Sequence, residues 1–198
     1  MNYPQGTRRQ TTANNRSNKS IVNFANRGMA LESEINETND YYLLTNKAIV
    51  HKKPTPIQVV NVHYPKRSAA KITEAYFQEK ATTDYNGIYN GKHLDFEAKE
   101  TKNKTTFPLN NIHRHQIDHM RSISAHGGIC FMIIRFIAHN ETYFILSDKI
   151  ITYWDMMING GKKSIPYETI KCEGHEIPFT YQAKVDYLSV IDQFYLSK

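Results

Sequence analysis

The sequence runs to 198 residues with a net charge of +6 and a mean hydropathy of −0.59, enough for one domain with a real core, or for one domain carrying an elaboration. It holds no apolar run of the length a membrane span needs, and its polar start is unlike a secretory signal, so the cytoplasm is the expected location. Cys130 and Cys172 make no metal or redox spacing and are expected as reduced thiols without a role.

The charge is unevenly placed. Residues 1–27 hold five bases (Arg8, Arg9, Arg16, Lys19, Arg27) and no acid, residues 28–46 hold four acids and no base, and residues 47–80 hold seven bases against Glu74 and Glu79. Two basic segments suit a polyanionic partner whose affinity falls steeply with salt. A solvated basic surface explains the charge alone equally well.

In chain order, residues 1–25 are rich in Asn, Arg, Thr and Ser and predict a disordered basic tail, either without function or in loose contact with DNA. From Gly28 to about Leu44, the spacing of Leu31, Ile35, Thr38 and Tyr42 fits one face of an amphipathic helix, with acids on the other side, turned away from DNA. Ala48 to Lys53 reads as a strand ended by Pro54-Thr55-Pro56. Over about 54–81 the chain then makes an excursion: IQVVNVHYP alternates like a strand, and KRSAAKITEAYF fits helix or extended chain. A connection that long is functional or disordered, and its apolar periodicity argues against disorder. It reads as a basic protrusion presenting Lys52, Lys53, Lys66, Arg67 and Lys71 to a polyanion such as DNA, or else as an ordinary dimer arm.

The stretch TTDYNGIYNGKHLDFEAKE (82–100) predicts a β-hairpin, because Asn90 and Gly91 both tolerate the positive φ of a type I′ turn. Pairing Tyr89 with Lys92 and counting outward sets Asp84 opposite Glu97. Opposed carboxylates about 5 Å apart repel unless a cation lies between them. Leu94, Phe96 and Ala98 form one face of the second strand; Asp95, Glu97 and Lys99 form the other. Hard oxygens suit Mg²⁺, with Mn²⁺ as a substitute. A lysine beside such an ion holds an attacking water or offsets charge on a phosphate.

Beyond Lys99 a basic loop, Glu100 to Thr105, carries Lys102 and Lys104 within reach of phosphates. Pro108 and Asn110 lead into a helix to about Ala125, closed by Gly127-Gly128, with Ile112, Gln116, Met120 and Ile123 on one side. A hydrogen bond to backbone is the plain explanation for Gln116 among apolar neighbours. His115 and His119 are one helical turn apart, but no zinc-protease glutamate follows His115 and His113 lies well round the helix, so histidines near phosphates are expected rather than zinc ligands. ICFMIIRFIA (129–138) reads as a central strand covered on both faces, followed by a turn at 139–142 and a strand over Tyr143 to Leu146. Ser147 or Asp148 is expected to cap a helix through Ile150, Trp154 and Met157, ended by Gly160-Gly161, and Tyr187 to Leu196 to close as an amphipathic helix.

Asp84, Glu97 and Lys99 together are similar to the signature of the PD-(D/E)xK nuclease superfamily, which by itself is short and degenerate. The runs NRGMALE (26–32), HKKPTPIQVVNVHYPKRSAAKITEAYF (51–77), TTDYNGIYNGKHLDFEAKETKNKT (82–105) and FPLNNIHRHQ (107–116) closely resemble the RecU family, the Holliday junction resolvases of Gram-positive bacteria. The resemblance extends from about Asn26 to the C-terminus and is strongest up to Gln116. It implies an α/β, restriction-endonuclease-like fold: a mixed central sheet flanked by helices, in one domain over 26–198, with the excursion as a stalk between the first two core strands. It also implies a metal site of Thr82, Asp84, Glu97 and Gln116, with Lys99 as transition-state stabiliser. A glutamate of the first helix joins the metal in related nucleases; Glu32 is the matching position, although a solvent-facing glutamate is commoner. The activity implied is Mg²⁺-dependent resolution of four-way junctions in recombination and repair, by a homodimer matched to the junction's two-fold symmetry. Recombinase and branch-migration proteins are implied as further partners. Two other readings fit the residues: a nuclease of this superfamily with a different DNA substrate, and a junction-binding recombination accessory without catalysis. The complete Asp-Glu-Lys set disfavours the second.

Overall fold

The computed structural model describes residues 29–78 and 82–196, without the side chains of Met29 and Arg67. The basic tail expected over 1–25 lies outside these residues. Asn90 and Gly91 take φ of 47° and 72°, and fold β4 (Tyr85–Tyr89) back on β5 (Lys92–Thr101), with Tyr89 paired to Lys92 and Tyr85 to Phe96 as predicted. Around this hairpin stands a six-stranded sheet in the order β1 (Ile49–Lys52), β4, β5, β7 (Ile129–Phe136), β8 (Glu141–Leu146), β10 (His175–Glu176). Only β5 and β7 run parallel among these neighbours, so the sheet is mixed.

Strand alternation divides the apolar residues between two cores. Leu94, Phe96 and Ala98 of β5 and Phe131 and Ile133 of β7 pack beneath α1 (Met29–Leu44) and α5 (Tyr187–Ile191). The intervening β7 residues Cys130, Met132, Ile134 and Phe136 pack with α2 (Arg114–Ala125), α3 (Ser147–Ile158) and α4 (Tyr167–Glu173). Cys130 is a free thiol pushed up to about 12 by burial, whereas Cys172 is exposed. On the first face Tyr85, Phe96, Phe131 and Phe144 stack in sequence, with ring centroids 4.8, 4.6 and 4.3 Å apart. A one-residue slip of β5 would turn its aromatic residue to the polar side, so this ladder fixes the register that opposes residues 84 and 97.

The predicted first helix spans Met29–Leu44, and Leu31, Ile35, Thr38 and Tyr42 are all buried. Its acids are spent on the body of the protein: Glu34 pairs with Arg135 and Glu37 with Lys184, each at 2.6 Å, and Glu32 with Lys52. The helix expected from Asn110 begins four residues later. Thr106–Pro108 is instead strand β6, paired with β9 (Ser164–Pro166), and Leu109–Asn111 makes a 3₁₀ turn that buries Leu109. Pro108 holds the extended conformation, so the helix waits for His113 as its N-cap. β5 continues through Glu100 and Thr101 because β7 pairs with it to Phe136, which shortens the expected loop to residues 102–105. α3 begins at Ser147 without a side-chain cap, its hydroxyl lying 3.1 Å from Ser124 Oγ. After α5 the chain passes into a π-helical turn, Asp192–Leu196, where Asp192 accepts a hydrogen bond from Tyr89 Oη at 2.6 Å. No described helix is long and apolar enough to cross a membrane.

Between β1 and β4 the chain forms a separate antiparallel pair, β2 (Ile57–His63) and β3 (Lys71–Phe77), joined through a 3₁₀ turn at Arg67–Ala69. The extended reading of KITEAYF therefore holds, and the helical one does not. Every residue of both strands is exposed. The hairpin closes at its base, where the Gln78 N–H donates to Pro56 O at 3.0 Å.

One glycine sets how closely β1 approaches the β4–β5 hairpin. A Cβ on Gly87 would overlap the Ile49 carbonyl oxygen and lie 2.7 Å from Val50 Cα, both rigid backbone. Gly87→Ala should therefore force β1 off β4 and destabilise the fold by about 1–3 kcal/mol. Urea unfolding would reveal this as a lower midpoint at unchanged slope, and an unchanged midpoint would contradict the close approach.

Candidate active site

The polar face of β5 lies on the α2 side of the sheet and carries Asp95, Glu97 and Lys99. Asp84 directly precedes β4, and its backbone N–H donates to Glu97 Oε2 at 3.0 Å, as the predicted register requires. Both carboxylates are buried, Asp84 at 8% exposure and Glu97 at 0%. Lys99 Nζ pairs with Glu97 Oε1 at 2.6 Å. A carboxylate oxygen has more than one lone pair, so this ion pair leaves Oε1 able to take a further partner.

Burial pushes the Glu97 carboxyl up to about 7; Lys99 opposes that rise and Asp84 adds to it. A divalent cation would remove the conflict by replacing the proton as the positive partner. Among the described residues no three His, Cys, Asp or Glu side chains converge on a metal position. Two carboxylates supplemented by neutral oxygens, water and phosphate fit Mg²⁺ and do not resemble an all-protein cage.

The neutral oxygens implied by the resemblance are differently engaged. Thr82 Oγ1 donates to Thr83 O at 3.3 Å and is half-buried. Gln116 is buried one turn into α2, and its Oε1 accepts the His113 N–H at 3.0 Å in a capping box, the backbone bond that sequence reasoning supplied. A carbonyl oxygen has two lone pairs, so this bond leaves one for another partner. Glu32 is held by Lys52 and so is not an unpaired ligand.

The expected DNA contacts separate into two groups. Lys52, Lys66, Lys71, Lys102 and Lys104 are exposed, Lys52 paired with Glu32; the Arg67 side chain lies outside the described residues. Lys53 differs from the expected exposed contact: it is half-buried, and its Nζ turns inward to donate to Asp95 Oδ2 at 2.8 Å and Thr83 Oγ1 at 3.0 Å. His119 likewise faces Asp95, with Nε2 3.2 Å from Oδ1, while the His113 and His115 rings stack at 5.4 Å. Sequence reasoning put Asp95 on the correct face but gave it no part. The signal available was an acid flanked by apolar residues, two positions from Glu97.

A family model described as Recombination protein U matches residues 26–193. The chain is 58% identical over 195 residues to the Holliday junction resolvase RecU of Oceanobacillus iheyensis, covering 98% of this chain and 100% of that protein. It is 52% identical to the protein of that name from Geobacillus kaustophilus and 50% identical to that from Bacillus subtilis, over all of this chain and 99% and 96% of theirs. Among solved structures, Hjc of Archaeoglobus fulgidus, a Holliday junction resolvase from an archaeal hyperthermophile, superposes with a TM-score of 0.41 at 10% identity, over 73% of this chain and 95% of that one; so slight a likeness carries no weight here. By the reach of the family match and by identities above half along its whole length, the chain belongs to the RecU family.

Proposed function

We propose that this chain is a Holliday junction resolvase, an endonuclease that cuts four-way DNA junctions with Mg²⁺, for which Mn²⁺ substitutes. The observation that carries the reading is the buried Asp84–Glu97 pair with Lys99 against Glu97 Oε1, in a chain whose relatives bear that name. Asp84 and Glu97 would hold the cation, with the Thr82 hydroxyl and the free lone pair of Gln116 Oε1 completing the set. When bound, the ion supplies Lewis acidity towards a phosphate oxygen and lowers the pKa of water.

Lys99 is half-buried at the carboxylate pair, and its ammonium would offset charge developing on the phosphate. The stacked aromatic ladder packs the opposite face of the same strands. Lys102 and Lys104 sit on the loop directly after β5, where they would hold the backbone of the strand to be cut. The β2–β3 hairpin, with Lys66, Arg67 and Lys71 towards its tip, is proposed as the stalk that reads the junction, in a single nuclease unit over 26–198. A homodimer follows from the substrate, since two-fold symmetry presents two strands for equivalent cuts.

The test is a synthetic four-way junction and its matching linear duplex, each incubated with the full chain in Mg²⁺ or in EDTA. Symmetric nicks in the junction, dependent on Mg²⁺, are the expected result. Equal cutting of the duplex would move the assignment to a general nuclease, and binding without cleavage to an accessory.

A further inference from the structure

Asp95 is only 1% exposed, yet its carboxylate gathers polar groups from separate parts of the fold. Oδ2 accepts from Lys53 Nζ at 2.8 Å; Oδ1 accepts from Thr83 Oγ1 and faces His119 Nε2 at 3.2 Å; His93 Nε2 stands 3.7 Å from Oδ2. Lys53 is the residue after β1, where the chain departs for the β2–β3 hairpin, and Thr83 is where it has returned. Two further bonds join these points: Lys53 Nζ donates to Thr83 Oγ1 at 3.0 Å, and the Lys53 N–H donates to Asp84 O at 2.7 Å. Thr83 in turn stands between Thr82 and Asp84 in the proposed cation site.

We infer that Asp95 is a positioning residue for cleavage: its buried carboxylate ties both feet of the hairpin to the strand that carries Glu97, and so fixes the Thr82–Asp84 segment at the cation site. The inference rests on the metal-dependent cleavage proposed above. An apolar side chain of similar volume would fill the same space but leave the Lys53 ammonium without its partner. Nor could it accept bonds from the residue after β1 and from the residue before Asp84 while facing His119 of α2. Asp84 lies outside the ladder of β4; its N–H is held by Glu97, its carbonyl by the Lys53 N–H, and the residue before it, Thr83, by Asp95, so two of these three supports, Lys53 and Thr83, run through Asp95. Asp95 touches neither DNA nor cation in this scheme, and it acts through Thr83 and Lys53.

Asp95→Asn keeps the volume and removes the charge, while Thr83→Val removes only the hydroxyl. Four quantities decide the matter in the full chain: kcat and KM for junction cleavage, Mn²⁺ affinity of the DNA-free protein, junction Kd in EDTA, and thermal unfolding. Either variant should lose about tenfold to a hundredfold in kcat, the scale on which small misplacements of reacting groups register. Mn²⁺ should bind about tenfold more weakly, with KM and junction Kd within about twofold of the parent. Thr83→Ser, which keeps the hydroxyl, should recover most of the loss, and the double variant should lose little more than either single one, since one linkage is cut twice.

Full kcat and Mn²⁺ affinity in a folded Asp95→Asn protein would overturn the inference. So would losses in kcat, junction binding and melting temperature that move together, since that is how damage to the core would read. If Asp95→Asn does not fold, Thr83→Val decides by the same criteria. A parent protein that fails to cut junctions refutes the proposed function instead, and the Mn²⁺ titration still reports on Asp95.

Discussion

Glu97→Gln is expected to leave four-way junctions bound and uncut. The substitution conserves shape and removes the buried charge opposed to Asp84, so a cation held there would lose one of two carboxylates while the exposed lysines proposed to face DNA are untouched. A fall in cleavage of about a thousandfold or more is expected, at the upper end of what loss of one preorganised electrostatic group costs. Asp84→Asn should behave alike, and undiminished turnover by either would refute the site. Stability should move the other way. Because burial raises Glu97 from 4.5 to about 7, the metal-free fold favours the protonated form; this group's stabilising contribution is complete below its unfolded pKa and is lost as pH rises through about 7. Metal-free Glu97→Gln should accordingly melt above the parent at about pH 8 and vary less between about pH 5 and 8. For the same reason the parent should bind Mg²⁺ more weakly as pH falls below about 7, where protons compete for the carboxylate.

The second large effect is expected from removing the stalk. Pro56 and Gln78 are already joined by a backbone hydrogen bond, so replacing residues 57–77 with two or three glycines asks the chain to bridge a gap the fold has closed. The excised strands are exposed throughout and contribute nothing to either core, so melting should change by only a few degrees. Lost with them are the exposed Lys66 and Lys71, proposed to meet phosphates, and the exposed rings of Tyr64, Tyr76 and Phe77, which would offer stacking surfaces to unpaired bases. Preference for a four-way junction over duplex should drop by about tenfold or more, while binding to duplex changes far less. Competition binding in EDTA measures that ratio directly, and an unaltered ratio would deny the hairpin its role in recognition.

The site was legible in the sequence because it is local. One two-residue turn and the alternation of β5 suffice to oppose Asp84 and Glu97 and to set Lys99 beside them, and the structure keeps that arithmetic. Where partners come from afar, sequence reasoning fell short. Lys53 reads as one more base in a basic segment until Asp95, forty-two positions on, is seen to take its ammonium. Gly87 gives no warning that β1 will press against it. β6 and β9 are three residues each and exist only by pairing with one another, so neither shows a period of its own. The expected helix start at Asn110 failed for the same cause, because pairing to β9 claims the chain through Pro108 before a helix can begin.

The Asn90–Gly91 turn has a consequence for the order of assembly. Short-range hairpins close in microseconds, whereas β1 must return across the whole stalk and β7 across α2 before they flank it. The opposed carboxylates are therefore brought together while still in water, where their repulsion is weak, and the cost of their proximity is felt only as the later strands and helices exclude solvent. A cation present at that last step would act as a folding partner, drawn in by a charge pair that the growing interior can no longer hydrate.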